Sequence, residues 1–497
     1  MEYGSVWKTY SENDLQTVEK FSSSYIDFIS RCKTERECVV YAIELAEQNG
    51  YESLKDAIKQ KRQLRDGDRL WTQSNGKALI LVQIGTDPFE KGFNLLGAHV
   101  DSPRLDIKQN PLYEANDFVL FDTHYYGGIK HYQWVTLPLA IHGVVVKKTG
   151  ESIRVVIGED PDDPVFCVTD LLPHLAALQM EKKAKEAIEG EGLDLLIGSR
   201  PLVFEYDGLA DSQEQNQASQ KQAQTFKATG KEEEVLEKKR KAAKKEPVKA
   251  MFLKLFEERY GITEEDFLSA ELEVVPAGRA RDCGFDRSMV IGYGHDDRVC
   301  AYPSLRAMLA VEDPRKTTVC ILVDKEEIGS VGATGMTSRF FENTMAEILE
   351  LSGERSGLVL RRALAASSML SSDVSAGFDP LYPSVFEAKN AAYLGKGIVF
   401  NKYTGVRGKS GSNDASAEYV ARIRAIMDNR GVAFHTAELG KVDAGGGGTI
   451  AYIPAKYGMD VIDCGIAVLS MHSPWEVVSK ADIYEAYKGY QAFLQDA

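Results

Sequence analysis

The sequence predicts an α/β fold in which helices cover a mostly parallel sheet. From about residue 285 onward, short apolar segments alternate with segments of helical periodicity, and this alternation is typical of α/β layering. Two apolar segments, residues 93–98 and 317–323, are the length of short buried strands and are followed at once by polar residues. Proteins with such sheets bind their ligands at the carboxyl ends of the strands. The polar residues that follow these two segments are therefore candidates for a functional site.

The elements follow from the apolar periodicity and from the turn residues that separate the segments. In chain order the sequence predicts two helices over residues 11–50, strands at 77–84 and 93–99, a β-rich region over 101–170 with apolar segments at 139–146 and 152–157, a helical stretch from Leu171 that contains His174, a helix at 299–311, strands at 317–323 and 367–372, a helix at 414–428, and a strand at 461–470.

Length and composition limit the class of protein. The 497 residues leave room for two or three domains, and the net charge of −15 argues against nucleic acid or an anionic membrane as a partner. Seven scattered cysteines and an N-terminus without the features of a signal peptide predict a cytoplasmic protein with reduced thiols. Residues 211–249 are rich in Gln, Ser, Lys and Glu, which indicates a solvated, charged insertion.

Five candidate metal ligands lie at the edges of apolar segments. They are His99, Asp296, Glu327, Asp373 and His472. Each residue alone is more typical of a structural histidine, a helix cap or a solvated surface, but the ordered set predicts a metal site. Two imidazoles and three carboxylates suit two zinc ions, or cobalt or manganese, with one carboxylate shared between the two metals.

Two further carboxylates have roles that such a site requires. A water activated between two metals needs a base to accept its proton, and Glu326, next to the ligand Glu327, is the candidate. With side chains alternating along a strand, Glu326 need not be a ligand itself. Asp101 stands two residues from His99, where it can accept the second N–H of that imidazole and so fix its tautomer.

At these positions the chain resembles the aspartyl aminopeptidase family of dinuclear zinc metallopeptidases. The matching segments run in order along the chain: residues 97–105, 172–176, 296–298, 324–330, 371–373, 448–450 and 471–473. The resemblance implies a phosphorylase/hydrolase-like three-layer α/β/α catalytic domain, formed by residues 1–106 and 285–497. It also implies an inserted β-rich dimerisation domain at 107–284, which carries the charged insertion.

The resemblance also implies a role for each site residue. His99, Asp296 and Asp373 would hold one Zn²⁺, and Asp296, Glu327 and His472 would hold a second, giving two Zn²⁺ per subunit. Glu326 would be the general base and acid, and Asp101 the partner of His99. His174 would reach the active site of a neighbouring subunit within a homo-oligomer, a dodecamer built from dimers. The implied reaction releases the N-terminal residue of peptide substrates.

The sequence leaves alternatives open. A related dinuclear zinc carboxypeptidase or deacylase has a similar ligand order, although its extra domain falls late in the chain and the long insertion here falls early. A non-catalytic scaffold that retains the fold is the alternative from another class, and the full set of candidate ligands argues against it. The preferred N-terminal residue is acidic or neutral, and Lys402, Arg407 and Lys409 are the candidate cations for an acidic side chain.

Overall fold

The computed structural model describes residues 4–203, 238, 241–406 and 408–497. The chain forms two compact units. The first comprises Met1–Arg104, Tyr125–Gln133 and Val275–Ala497, and the second comprises Leu105–His124 and Trp134–Val274. Most of the charged insertion predicted at 211–249 lies outside the described residues. Among the helices within the described ranges, none combines the length and the apolar character needed to cross a membrane.

The first unit is built on a mixed sheet of nine strands. In spatial order these are Glu52–Ser53, Arg69–Ser74, Ala78–Gln83, Thr318–Val323, Asn94–His99, Ser368–Ser372, Asp460–Gly465, Ile398–Asn401 and Phe434–Thr436. The four strands from Thr318–Val323 to Asp460–Gly465 are parallel neighbours. The carboxyl ends of these four strands therefore lie along one edge of the sheet.

Alternate residues of the central strands enter two separate apolar clusters. Leu96 and Cys320 belong to one cluster, whereas their neighbours Leu95 and Val319 belong to the other. Since successive side chains of a strand point to opposite faces, both faces of the sheet are buried. Burial on both faces explains why these strands appear in the sequence as continuous apolar segments rather than as alternating ones.

Helices contribute many of the other residues in both clusters. Those of the first unit are Glu12–Arg31, Glu35–Gln48, Leu54–Gln60, His295–Ala310, Phe340–Leu351, Gly357–Ala365, Ala417–Asn429, Tyr452–Ala455 and Lys480–Asp496. The helix Glu12–Arg31 begins at a capping box formed by Ser11 and Asp14, and it buries Phe21, Tyr25 and Phe28 at helical spacing. The sequence predicted the positions of this helix and its successor.

The strand predicted at 461–470 is divided between two sheets. Asp460–Gly465 belongs to the nine-stranded sheet and Ala467–Leu469 to a sheet of five strands. A Cβ atom on Gly465 would lie 1.9 Å from the carbonyl oxygen of Asp373, so the chain passes very close to its neighbour there. In spatial order the smaller sheet contains Arg281–Cys283, Met289–Gly292, Glu476–Ser479, Ala467–Leu469 and Ser375–Ala376.

The second unit contains most of a six-stranded sheet. In spatial order its strands are Ser152–Ile157, Leu139–Val146, Ala270–Pro276, Arg104–Ala115, Phe118–Tyr126 and Leu195–Gly198. Its described helices include Ala177–Met180, Ala184–Ala187 and Pro247–Tyr260. The helical stretch predicted from Leu171 is broken into short pieces, a 3-10 turn at Pro173–Leu175 that contains His174 and the helices Ala177–Met180 and Ala184–Ala187. Ala176 alone is buried in residues 171–180, and so short a helix has no apolar face to stabilise it.

Candidate active site

Four of the sequence-predicted site residues lie at the carboxyl edge of the central strands. His99 is the last residue of Asn94–His99, and Asp373 follows the neighbouring strand Ser368–Ser372 directly. Glu326 and Glu327 do not end a strand, because the strand stops at Val323 and both glutamates lie in a 3-10 turn, Glu326–Ile328. The left-handed backbone of Lys325, with a φ of 70°, starts this turn. Strand alternation is therefore not what separates the two side chains.

The carboxylate of Asp296 lies between two imidazole rings. Its Oδ1 atom is 3.2 Å from Nε2 of His99, and its Oδ2 atom is 3.1 Å from Nε2 of His472. A further carboxylate stands near each ring. Oδ1 of Asp373 is 3.9 Å from Nε2 of His99, and Oε1 of Glu327 is 3.4 Å from Nε2 of His472. The five predicted ligands thus form two groups that share Asp296.

The residues present fit metal ions. The donor atoms of His99, Asp296 and Asp373 lie within 4.8 Å of one another, as do those of Asp296, Glu327 and His472. Burial raises the pKa of Glu327, and the charge of Asp296 raises it further. Burial likewise raises the pKa of Asp373. Without a cation, these carboxylates resist ionisation together, and bound divalent ions would remove that penalty.

Asp101 holds the histidine and both glutamates in place. Nδ1 of the His99 ring is 3.3 Å from Oδ1 of Asp101 and 3.0 Å from its backbone oxygen. The same carboxylate accepts the backbone N–H groups of Glu326 and Glu327, each at 3.2 Å, and the hydroxyl of Tyr126 at 2.9 Å. Asp101 is fully buried, so one carboxylate orients the imidazole and the turn.

The edge of the sheet opens into a cavity of about 510 Å³. Its lining comprises Asp296, Glu326, Glu327, Gly329, Ser330, Asp373, Val374, Asn401, Thr404, Leu439, Gly446, Gly447, Gly448, Thr449, Tyr452, Asp463, Met471 and His472. Burial raises the pKa of Glu326 to about 7; His99 acts against this rise, while Asp296 and Asp101 add to it. A carboxyl group with a pKa in this range can accept and return a proton near neutral pH.

Two residues that hold the site together are not among the candidates predicted from the sequence. Tyr126 donates its hydroxyl to Asp101, and the Arg104 guanidinium lies 3.9 Å from the centre of the Tyr126 ring. Glu476 accepts the backbone N–H groups of Asp296 and His472. The available signal for Glu476 was an acidic residue that begins a short strand and is followed by two valines, four positions after His472.

The remaining sequence candidates lie elsewhere. His174 is an exposed residue of the turn Pro173–Leu175 in the second unit. The ammonium groups of Lys402 and Lys409 both pair with Asp414, and neither residue lines the cavity. Arg407 is outside the described residues. Within the described part of the chain, the cavity lining contains no lysine or arginine.

Comparisons with known proteins identify the family of the chain. Residues 28–494 match the model of the aminopeptidase I zinc metalloprotease family, M18. A probable M18 family aminopeptidase 1 of Clostridium acetobutylicum is 55% identical over 495 residues, covering 100% of this chain and 98% of that protein. This identity favours an aminopeptidase over the carboxypeptidase, deacylase and scaffold alternatives.

Solved structures give the same result. The crystal structure of aminopeptidase I from C. acetobutylicum matches with a TM-score of 0.85 at 55% identity, and each chain is covered to 100%. An M18-family aminopeptidase from Thermotoga maritima matches with a TM-score of 0.87 at 42% identity, again with 100% coverage of both chains. The S. cerevisiae mApe1 dodecamer shares the fold, with a TM-score of 0.72 at 20% identity and 97% coverage of each chain. The chain therefore belongs to the M18 family of zinc aminopeptidases.

Proposed function

We propose that the protein uses two zinc ions to release N-terminal residues from peptides. The two groups of candidate ligands, which have Asp296 in common, would each hold one ion. The observation that carries this proposal is the position of the Asp296 carboxylate, with one oxygen toward His99 and the other toward His472. Asp373 would complete the first group and Glu327 the second. When bound, zinc supplies Lewis acidity, which polarises the scissile carbonyl and lowers the pKa of water.

Glu326 would act as the general base and then the general acid. Its carboxylate borders the cavity beside the ligand Glu327, and its backbone N–H donates to Asp101, which fixes the turn. From this position Glu326 takes a proton from the attacking water and returns one to the leaving amine. Donor atoms of His99, Glu326 and Glu327 also lie within 4.8 Å of one another, so the competing role for Glu326 is that of a ligand.

The domain organisation belongs to the same proposal. We assign residues 1–106 and 285–497 to a three-layer α/β/α catalytic domain, and residues 107–284 to an inserted dimerisation domain. The two apolar clusters that receive alternate strand residues support the layering. The compact second unit, with a six-stranded sheet, supports an inserted domain. Seven cysteines, all of them free thiols, support the cytoplasm as the location.

The second unit carries an exposed apolar segment that a homo-oligomer would cover. Around His174, the side chains of Leu172, Leu175 and Leu178 are 51%, 70% and 81% exposed. Such clustering of exposed apolar residues is typical of subunit interfaces. Together with the dodecameric yeast relative, it supports a dodecamer built from dimers, in which His174 serves the active site of a neighbouring subunit.

Mixed oligomers test this role of His174. Neither His174→Phe nor Glu326→Gln should be active alone, the first losing turnover without losing zinc. When the two variants are co-expressed, about a quarter of the sites in a random mixture would combine an intact Glu326 with an intact His174 from the neighbour, and activity should return. If the mixture stays inactive, or if His174→Phe alone turns over normally, the shared site is wrong.

The cavity supports a preference for neutral rather than acidic N-terminal residues. Its described lining combines the apolar side chains of Val374, Leu439 and Met471 with carboxylates that include the buried Asp463. An acidic side chain would find no lysine or arginine to pair with among the described lining residues. Desolvating an unpaired carboxylate is costly, so the neutral side chain binds better.

A panel of aminoacyl chromogenic substrates tests activity and preference together. We expect zinc-dependent release from N-terminal Leu and Ala, with kcat/KM for Leu exceeding that for Asp or Glu by at least about tenfold, a difference of about 1.4 kcal/mol. Lys serves as the cationic comparison, and cobalt and manganese as alternative metals. Selective release of Asp or Glu would contradict the preference, and no release with any metal would contradict the proposed activity.

A further inference from the structure

We propose that Glu476 is a positioning residue that sets zinc affinity by fixing the backbone of two ligands, Asp296 and His472. This inference rests on the proposed zinc site. Oε1 of Glu476 accepts the N–H of His472 at 2.7 Å, and Oε2 accepts the N–H of Asp296 at 3.0 Å. One carboxylate therefore joins two ligands that are 176 residues apart in the chain (472 − 296).

Glu476 is itself held rigidly. Its side chain is buried, the whole residue being 1% exposed. It begins the strand Glu476–Ser479, and its backbone pairs with Gly292 in the neighbouring antiparallel strand Met289–Gly292. Gly292 lies only four residues before Asp296. The strand pair thus gives the carboxylate a fixed position from which to hold both ligands.

Neither ligand has helical backbone geometry, and His472 in particular needs support from its surroundings. His472 lies in the left-handed region with a φ of 64°. Asp296 has φ −77° and ψ 109°, outside helical values although it stands at the start of the helix His295–Ala310. Non-glycine residues rarely adopt the left-handed conformation unless the surrounding structure holds them in it. The hydrogen bond from the N–H of His472 to Glu476 stabilises this conformation, and the bond from the N–H of Asp296 fixes the other ligand. The two side chains then face each other, with Oδ2 of Asp296 3.1 Å from Nε2 of His472.

The arrangement requires a carboxylate. Two acceptor oxygens serve two N–H donors, whereas a glutamine offers one oxygen and one NH₂ group, which would face an N–H. The chain provides a matched control in Asp482, whose buried carboxylate likewise accepts backbone N–H groups with both oxygens, including those of Gly395 and Gly397, each at 2.7 Å. Asp482 bonds to neither of the two ligands. The same loss of one acceptor can therefore be made at either position.

Zinc titration of the metal-free, full-length protein tests the inference. The protein is stripped with a chelator and titrated with Zn²⁺ in competition with a chromophoric chelator. Glu476→Gln should weaken zinc binding by about 10–100-fold, the range typical of lost partners of metal ligands. Asp482→Asn should keep the wild-type affinity, although both changes should lower the thermal midpoint of the metal-free protein. A role confined to folding would affect the two variants alike.

The outcomes separate the inference from the proposed function. If wild-type protein binds no zinc, the proposed site is wrong. If it binds zinc and Glu476→Gln binds it equally well, the positioning role is wrong. Should Glu476→Gln fail to fold, hydrogen exchange of the metal-free wild type decides, because the amides of Asp296 and His472 should be strongly protected. Exchange as fast as in exposed loops would overturn the inference.

Discussion

Glu326→Gln should lower kcat by about 10²–10⁴-fold while the protein keeps its full zinc content. Glutamine preserves the size of the side chain and the backbone N–H that donates to Asp101, but it cannot accept the proton of the attacking water. Because no other side chain is proposed to move that proton, the loss should appear in kcat rather than in KM. Steady-state kinetics and zinc content of the same preparation measure both effects.

The control for this variant is its metal content. The donor atoms of Glu326 stand close enough to those of His99 and Glu327 to form a metal-binding group. If Glu326→Gln loses zinc together with activity, Glu326 is a ligand and not the base. If turnover survives with zinc in place, another group moves the proton. Only intact zinc with collapsed turnover agrees with the assignment.

Asp296→Asn should lower kcat by at least about three orders of magnitude and should release both zinc ions. Its two carboxylate oxygens lie 3.2 Å and 3.1 Å from the two imidazoles, so one substitution weakens both groups of ligands. Asparagine keeps the shape of the side chain, and the backbone oxygen that accepts the hydroxyl of Ser102 is unchanged. Zinc per subunit after dialysis is the direct measurement.

Asp373→Asn is the matched comparison for Asp296. Of the two imidazoles, Asp373 stands beside that of His99, with its Oδ1 atom 3.9 Å from Nε2, and it belongs to one group of ligands. The substitution Asp373→Asn should therefore release one zinc ion per subunit and leave the other bound. Equal zinc losses in the two variants would mean that Asp296 is not shared, and the central geometry would need to be revised.

The sequence was sufficient to predict the sheet and to bring together the candidate ligands for one physical reason. The central strands are buried on both faces, so they stand out as apolar segments, and the residues that end them meet at one edge when the strands are parallel. His99 and Asp373 were predictable because they directly follow such segments. No candidate was strong by itself, and the ordered set of five made Asp296 and His472 credible together with the others.

Other features depended on information that the pattern does not carry. The turn at Glu326 begins after Lys325, whose backbone is left-handed, and the spacing of apolar residues gives no indication of this conformation. The split of residues 461–470 follows from the close passage of Gly465 past Asp373, a contact between segments distant in sequence. Glu476 acts through backbone groups of remote residues, so only the folded chain displays its role.

Anomalous scattering at the zinc edge, from crystals of the zinc-loaded protein, tests directly whether Asp296 is shared between two zinc ions. We expect two zinc ions in each subunit, both bound by Asp296, one of them also by His99 and Asp373 and the other by Glu327 and His472. A single zinc ion, or a pair in which Glu326 replaces Asp296 as the shared carboxylate, would contradict this expectation.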